Sequence, residues 1–188
     1  QLNKIWNGPT NLIDIYLSLL EKFEVCFILD NQQNGNQKKL IIPNLLSESR
    51  MRIIEEKLEK KWSIEDKLRE KWPETIPSET ILSETIEIER IFSFNQVPSE
   101  MVSRLLVRFH DRIVDNIIWR RGVLLKHFGD NILCLLEVKM SENLFEIRIR
   151  GKERKECLEM MKYIYEEVKI VSGNYGGVKW KECVRSPH

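Results

Sequence analysis

The sequence contains few of the residues on which metal sites and disulfide frameworks depend. It has three histidines and four cysteines in 188 residues, with no C-x-x-C pair and no histidine at ligand spacing. Zinc sites and disulfide-rich scaffolds need such spacings, so we expect neither. The four cysteines are scattered along the sequence, at Cys26, Cys134, Cys157 and Cys183. We therefore expect buried free thiols in a reducing compartment, and thus a cytoplasmic protein.

Excess charge of one sign and long apolar runs are also missing. Thirty basic residues against 29 acidic residues leave a net charge of +1, which gives no general attraction to nucleic acids or anionic membranes. No apolar run approaches the roughly 20 residues that span a bilayer, and no signal peptide opens the chain. The chain begins with Gln1 rather than Met, which leads us to expect a segment of a longer protein.

Motifs for nucleotide binding and nucleophilic catalysis are absent from the sequence. A P-loop needs G-x-x-x-x-G-K-[ST], which does not occur, and the glycine-rich residues 173–177 are typical of a helix C-cap and turn. None of His110, His127 and His188 lies in a recognisable catalytic motif. We therefore predict a non-catalytic chain with no catalytic residue, cofactor or metal of its own.

What is present is a strongly patterned stretch from residue 88 to residue 125. It predicts a strand, a helix opened by Pro98 and Ser99, and a second strand entered through residues 119–122. One face of this helix is apolar, because its apolar residues recur at helical spacing: Val102, Leu105, Leu106, Phe109 and Ile113. That face must pack on the neighbouring strands.

The whole unit 86–188 predicts an α+β fold. We predict helices over 99–114 and 152–171, and strands over 86–94, 117–126, 131–139, 144–150 and 178–184. Compact turns at 129–131 and 141–143 indicate an antiparallel meander. Alternation of Phe145, Ile147 and Ile149 with charged residues indicates one buried sheet face. The expected result is a two-layer sandwich in which both helices cover the same side of a mainly antiparallel sheet.

Residues 1–47 predict a helix and a two-stranded wing, similar to part of a winged-helix domain. The helix is marked by Leu12, Ile15, Tyr16, Leu19, Leu20 and Phe23, and strands follow over 24–29 and 39–42. Residues 48–85 form a charged helical insert with a proline-containing linker. A solvated helix packed through its tryptophans is favoured by one helical stripe of apolar residues, which are Ile54, Leu58, Trp62, Leu68 and Trp72. A partner-binding helix and a nucleic-acid patch are the alternatives.

The order and spacing of several motifs resemble the COR domain, the module that follows the Roc GTPase in Roco proteins. The motifs are an aromatic strand, a proline turn, SRLLVRFHD, WRRGVLL, IRIRG before a long helix, and an upstream LLEKFEVCFILD followed by LIIPNLL. The resemblance covers most of residues 12–171 except the charged middle. It assigns 1–47 to the end of the first COR subdomain and 86–188 to the second, C-terminal subdomain.

The resemblance implies a non-catalytic module that forms homodimers and couples a neighbouring Roc GTPase to dimer assembly. Downstream domains such as a kinase would belong to the same signalling protein, so the parent would be a GTPase. GTP or GDP and Mg²⁺ would bind on the adjoining Roc domain rather than on this chain. The expected partners are a second copy and the Roc domain, with no nucleic acid and no membrane-spanning segment.

Two features are candidates for partner binding. Arg104, Arg108 and Arg112 recur every four residues along the central helix and form a basic row with Arg120 and Arg121. Such a row suits an acidic partner surface, and local pairing with nearby carboxylates is the alternative. The second feature is the turn Phe94–Pro98, which resembles a GTPase-facing turn of COR domains. Gln96 and Val97 replace the aromatic residues common there, and Trp119 completes the candidate set.

A different interpretation is an RNA-binding module, because the order strand, helix, strands, helix, strand also resembles an RRM. An RRM places stacking aromatic rings on an open sheet face within a K/R-G-F/Y-G/A-F pattern. The strand LFEIRIRG offers one aromatic residue and lacks the start of that pattern. We therefore keep RNA binding as the alternative.

Overall fold

The structure, a computed structural model, describes residues 12–31, 37–62, 85–127 and 132–183. The helices are α1 (Ile13–Lys22), α2 (Arg52–Trp62), α3 (Ser99–Arg108) and α4 (Arg154–Gly173). The strands are β1 (Phe27–Asn31), β2 (Gln37–Ile41), β3 (Ile86–Phe94), β4 (Ile113–Trp119), β5 (Gly122–Lys126), β6 (Leu133–Lys139), β7 (Leu144–Gly151) and β8 (Trp180–Cys183). Short 3-10 helices lie at Pro43–Leu45 and His110–Arg112.

Six strands form one antiparallel sheet in the order β4-β5-β6-β7-β3-β8. Strands β4 to β7 are a meander in which each strand pairs with the next along the chain. The sequence predicted the part of this meander from β5 to β7, and the β4–β5 turn was not predicted. Strand β3 lies between β7 and β8, both of which follow it in sequence. The predicted bounds of β3, 86–94, agree with the structure.

Helices α3 and α4 cover the same face of this sheet, which confirms the predicted α+β sandwich. Phe145, Ile147 and Ile149 of β7 are fully buried beneath them. Buried residues of α3 and α4, such as Leu105 and Ile164, complete this cluster, which we call the main core. The period-2 pattern of β7 thus pointed to the correct buried face.

The opposite face of the sheet is partly covered by α2. The sequence predicted this helix and its apolar residues, but not the surface on which they pack. Ile54 and Leu58 of α2 pack on an apolar patch formed by Val114, Ile117, Trp119, Leu124 and Leu135. Lys61 of α2 forms an ion pair of 2.9 Å with Asp115 at the edge of the sheet. The charged helix therefore has a buried stripe, and that stripe docks on β4, β5 and β6.

Arg150 of β7 holds the end of α2 near the beginning of β3. Its guanidinium lies 4.9 Å from the centroid of the Trp62 ring and donates a hydrogen bond to the Trp62 carbonyl. The same guanidinium bonds the Glu87 carboxylate at 2.8 Å. Helix α2 is consequently fixed to the sheet at its last residue as well as through its apolar stripe.

The predictions for 99–114 and 117–126 were wrong in their bounds. The helix begins at Ser99, with Pro98 as its N-cap residue, and ends at Arg108. Strand β4 then begins at Ile113, and Asp115 and Asn116 have φ values of 47° and 57° where its register shifts. Two strands, β4 and β5, replace the single strand predicted over 117–126, because the chain turns at Arg120 and Arg121.

The helix and two-stranded segment at the start of the described chain have the predicted order. Strands β1 and β2 form an antiparallel hairpin. Phe27 and Ile41 of this hairpin are buried in the main core, next to α3. Asn44 in the following turn accepts a 2.5 Å hydrogen bond from the hydroxyl of Ser103 in α3. The hairpin thus packs on the sandwich rather than standing apart from it.

In the part of the chain that the structure describes, we find no helix that is both long enough and apolar enough to cross a membrane.

The four thiols differ in burial, which leads to a prediction about their reactivity. Cys26, Cys134 and Cys157 are buried, and burial raises the pKa of each thiol, whereas Cys183 is partly exposed. Because the exposed thiolate is the reactive species, we expect one thiol per chain to react rapidly with a thiol reagent at pH 8. All four thiols should react once the protein is denatured. Rapid modification of two or more native thiols, or of the Cys183→Ser variant, would contradict this.

Candidate partner-binding site

The turn that joins β3 to α3 is held in one conformation by two asparagines. The Asn95 side-chain oxygen accepts hydrogen bonds from the backbone N–H groups of Gln96 and Lys179, at 3.0 and 2.9 Å. The Asn95 side-chain amide donates to the Gly177 carbonyl at 2.9 Å. On the other side of the turn, the Asn143 side-chain oxygen accepts from Val97 N–H at 3.1 Å. The turn is therefore preorganised before any partner arrives.

Only part of this turn is accessible to a partner. Phe94 is buried, with its ring centroid 4.9 Å from that of Phe145 and 5.9 Å from that of Trp180. Val97 is buried in the main core. Gln96 is exposed. Of the three turn residues in the candidate set, Gln96 is the one whose side chain can contact another domain.

The three arginines of the central helix do not form one exposed row. Arg104 is half-buried, with its guanidinium 5.8 Å from the centroid of the Tyr175 ring. Arg112 belongs to the 3-10 helix after α3, and it is buried with its guanidinium 4.3 Å from the centroid of the Tyr163 ring. The expected i+4 row breaks at Arg112 because the α-helix ends at Arg108.

Arg108 bridges two parts of the fold. Its Nε donates to Glu167 of α4 at 2.5 Å, and its Nη1 donates to Glu24, between α1 and β1, at 2.9 Å. These hydrogen bonds, chiefly the one to Glu167, raise the pKa of Arg108 further above its usual value. Arg108 is therefore paired within the fold, but with carboxylates distant in sequence rather than with the nearby carboxylates of the alternative.

Arg120 and Arg121 occupy the β4–β5 turn, and both guanidiniums bind Glu48, at 3.0 and 2.7 Å. Trp119, the residue before the turn, is buried, and the Arg50 guanidinium lies 4.9 Å from its ring centroid. None of these contacts involves the arginines of α3. The basic residues that the sequence grouped together are therefore split between the turn and the central helix.

A groove of about 660 Å³ lies on the sheet face that α2 partly covers. Three ion pairs lie in its walls: Arg50 with Glu137 at 2.5 Å, Lys139 with Glu146 at 2.6 Å, and Arg121 with Glu48 at 2.7 Å. The pairs Arg50–Glu137 and Arg121–Glu48 fasten residues 48–50 to the sheet. Among the described residues, no group of three or more histidine, cysteine or acidic side chains could hold a metal ion.

Sequence patterns placed Asn143 in a predicted turn at 141–143 and Asn95 in the turn Phe94–Pro98. They did not indicate that the two side chains fix the backbone of the second turn, or that Glu24 and Glu167 bind Arg108. Asn143 has a φ of 53°, a conformation that asparagine tolerates well. The partners of Arg108 lie 84 and 59 residues away, beyond the reach of local pattern analysis.

Replacing Arg108 with methionine is expected to lower the free energy of unfolding by about 1–2 kcal/mol. The substitution removes two charge-assisted hydrogen bonds and leaves the mostly buried Glu167 carboxylate unpaired, while partial exposure limits the loss. Urea denaturation measures this change. The matched control is Arg52→Met, whose ion pair with Glu56 is exposed, with an expected change below about 0.5 kcal/mol. Equal effects of the two substitutions would contradict a bridging role for Arg108.

Comparison with known proteins adds two findings. The family model described as "C-terminal of Roc, COR-B domain" matches residues 85–188, which include the sheet and helices α3 and α4. The chain is also 28% identical over 156 residues to "Probable serine/threonine-protein kinase pats1" of Dictyostelium discoideum. The aligned region is 80% of this chain and 4% of that protein, so the chain spans a small fraction of its relative's length.

Proposed function

Because this chain belongs to the C-terminal of Roc (COR-B) family, we propose that it is a non-catalytic module that couples a Roc GTPase to dimer assembly. The GTPase would be an adjoining domain of the same polypeptide, where GTP or GDP and Mg²⁺ would bind. A kinase further along the polypeptide would respond to the same coupling, and the kinase named above as a relative is consistent with this.

The observation that carries the proposal is the Arg108 bridge. Coupling between sites requires a physical connection whose arrangement both sites influence. Arg108 joins Glu24, next to the hairpin, to Glu167 of α4, and Phe27 of the hairpin shares the main core with α3. These contacts support the proposal, because they provide a connection through which a displacement at the hairpin would reach the helices that cover the sheet.

The turn Phe94–Pro98 gives this unit a defined surface for the GTPase. Asn95 and Asn143 fix its backbone, and Gln96 is exposed at its tip. Arg104 lies one helical turn beyond the start of α3, beside Tyr175. Burial raises the pKa of Tyr175 above its usual value. We assign GTPase contact to the exposed Gln96 and to Arg104.

Dimerisation and nucleotide state would then be linked equilibria. Suppose that the GTP-bound and GDP-bound GTPase domains differ in how they contact this module. The dissociation constant of the dimer then differs between the two states by the square of the factor by which the preference for GTP over GDP differs between monomer and dimer, because each dimer binds two nucleotides. Typical coupling factors are about 5–150-fold. Hydrolysis of GTP would in this way change the fraction of dimer.

Sedimentation equilibrium tests the proposal. The 188-residue chain and the same chain extended upstream through its GTPase are measured with GDP and with a non-hydrolysable GTP analogue. We expect the longer polypeptide to dimerise with a dissociation constant at least about fivefold different between nucleotides. Arg108→Met should reduce that difference, and Arg52→Met should not. A dissociation constant that is the same with both nucleotides would refute the coupling, and a monomer at all concentrations would refute the dimerisation.

The alternative of RNA binding rested on the order of elements and on one aromatic residue in the candidate strand, and that residue is not accessible for stacking. The aromatic residue of the candidate strand, Phe145, faces α3 and α4 and is fully buried. The neighbouring positions on the opposite face of β7 are Glu146, Arg148 and Arg150, and they present no ring on which a base could stack.

A further inference from the structure

Strand β8 is weakly held in the sheet. It lies at the edge of the sheet beside β3, with which it pairs over four residues. No residue of β8 is buried, whereas β6 and β7 contain several buried residues. Elements with few buried contacts open locally at a lower free energy than the core of a protein. We therefore expect β8 to separate from the sheet more often than β6 and β7 do.

The start of β8 is joined to the turn Phe94–Pro98 through Asn95. The backbone N–H of Asn95 donates to the Lys179 carbonyl at 3.0 Å, and the Lys179 N–H donates to the Asn95 side-chain oxygen at 2.9 Å. The Asn95 side-chain amide donates to the Gly177 carbonyl at 2.9 Å. Lys179 directly precedes Trp180, the first residue of β8. We call these three hydrogen bonds the Asn95 latch.

A movement of the turn would break the Asn95 latch, because one oxygen atom belongs to both. The Asn95 side-chain oxygen accepts from the N–H of Gln96 within the turn as well as from that of Lys179, at 3.0 and 2.9 Å. Hydrogen bonds weaken steeply when the donor and acceptor are misaligned. A change in the backbone at Gln96 that reorients the Asn95 side chain therefore also removes its bond to Lys179. Trp180 adds a second connection, because its ring centroid lies 5.9 Å from that of Phe94.

We propose that the Asn95 latch is a conformational switch, in which displacement of the turn Phe94–Pro98 allows β8 to separate from β3. This inference rests on the proposed function for the cause of the displacement, which is the adjoining GTPase in contact with Gln96. The connection between the turn and the strand is a property of this chain alone. Because β8 is the last of the described strands, its separation would reach the part of the polypeptide toward the proposed kinase.

Backbone amide hydrogen exchange of the 188-residue chain, read by NMR, tests the Asn95 latch. In the unsubstituted chain, the amides of β8 should exchange faster than those of β6 and β7. Asn95→Ala removes the two side-chain hydrogen bonds of the latch, so we expect exchange in β8 to become about tenfold faster. Asn95→Asp keeps an acceptor oxygen for the Lys179 N–H and should have a smaller effect.

The matched control is Asn174→Ala. Asn174 follows α4 in the same loop and is exposed, and its side chain makes no hydrogen bond to another described residue. Exchange in β8 should therefore stay as it is in the unsubstituted chain. The latch is wrong if β8 exchanges as slowly as β6 and β7, or if Asn95→Ala changes exchange in β8 no more than Asn174→Ala does. Either result leaves the proposed function standing.

The same measurement on the chain extended upstream through its GTPase tests the switch. Exchange in β8 should differ at least about fivefold between GDP and a non-hydrolysable GTP analogue. Asn95→Ala should abolish this difference, and a difference that persists in this variant would refute the latch as the connection. If β8 responds to Asn95→Ala but not to the nucleotide, the GTPase does not displace the turn. That result would refute both the switch and the proposed GTPase contact at Gln96.

Discussion

Replacing Phe27 with alanine is expected to lower the free energy of unfolding by about 3–5 kcal/mol. Phe27 is 1% exposed and is buried in the main core with Ile41, and its ring centroid lies 5.5 Å from that of His110. Removing the ring leaves a cavity between the hairpin and α3, which the surrounding β-structure cannot fill. Urea denaturation, at concentrations too low for self-association, measures the loss.

A second phenylalanine four residues away provides the control. Phe23 is 66% exposed, so Phe23→Ala should change stability by less than about 0.5 kcal/mol. Phe27→Ala should also raise the rate of amide hydrogen exchange more in the hairpin than in β6 and β7, because the hairpin loses its contact through Phe27 with the main core. If the two substitutions cost the same, the hairpin does not share a core with the sandwich.

Replacing Gly122 with alanine should cost about 2–3 kcal/mol. A Cβ atom at this position would lie 2.2 Å from Cζ2 of Trp119 and 2.6 Å from the carbonyl oxygen of Leu136. Trp119 pairs with Gly122 across the β4–β5 turn and is itself held between α2 and Arg50. Neither the indole nor the backbone oxygen can move without disturbing the sheet. The change is measurable as a lower midpoint of thermal unfolding.

Gly173 is the matched control, because a Cβ there would meet no atom within 4 Å. It is the last residue of α4, where alanine has the higher helix propensity. Gly173→Ala should therefore be neutral or stabilise the protein by up to about 1 kcal/mol. A stability loss in Gly173→Ala equal to that in Gly122→Ala would show that the tight contact with Trp119 is not the cause.

Local sequence patterns were sufficient for the elements whose own residues determine their shape. The period-2 alternation of Phe145, Ile147 and Ile149 identified β7 and its buried face, and the helical spacing of Val102, Leu105 and Leu106 identified the buried side of α3. In each case the buried residues form a regular repeat along one element. The sandwich follows because these faces must be covered by each other.

The remaining features depend on contacts between distant parts of the chain. The β4–β5 turn was missed because Arg120 and Arg121 lack the Asn-Gly or Asp-Gly sequence typical of two-residue hairpin turns. The apolar stripe of α2 was visible in the sequence, but its binding face on Ile117, Leu124 and Leu135 comes from three separate strands. For the candidate site, the sequence predicted the turn Phe94–Pro98 but gave no indication that Asn95 and Asn143 fix it.

The position of β3 between β7 and β8 has a consequence for how the protein folds during synthesis. Strand β3 leaves the ribosome first among the six strands, yet both of its hydrogen-bonding neighbours are made later, the nearer one ending at Gly151. Strands β4 to β7 can pair in order as they emerge, because each neighbour is adjacent in sequence. We therefore expect the meander to form first, and the strand translated earliest to be inserted into the sheet near the end of folding.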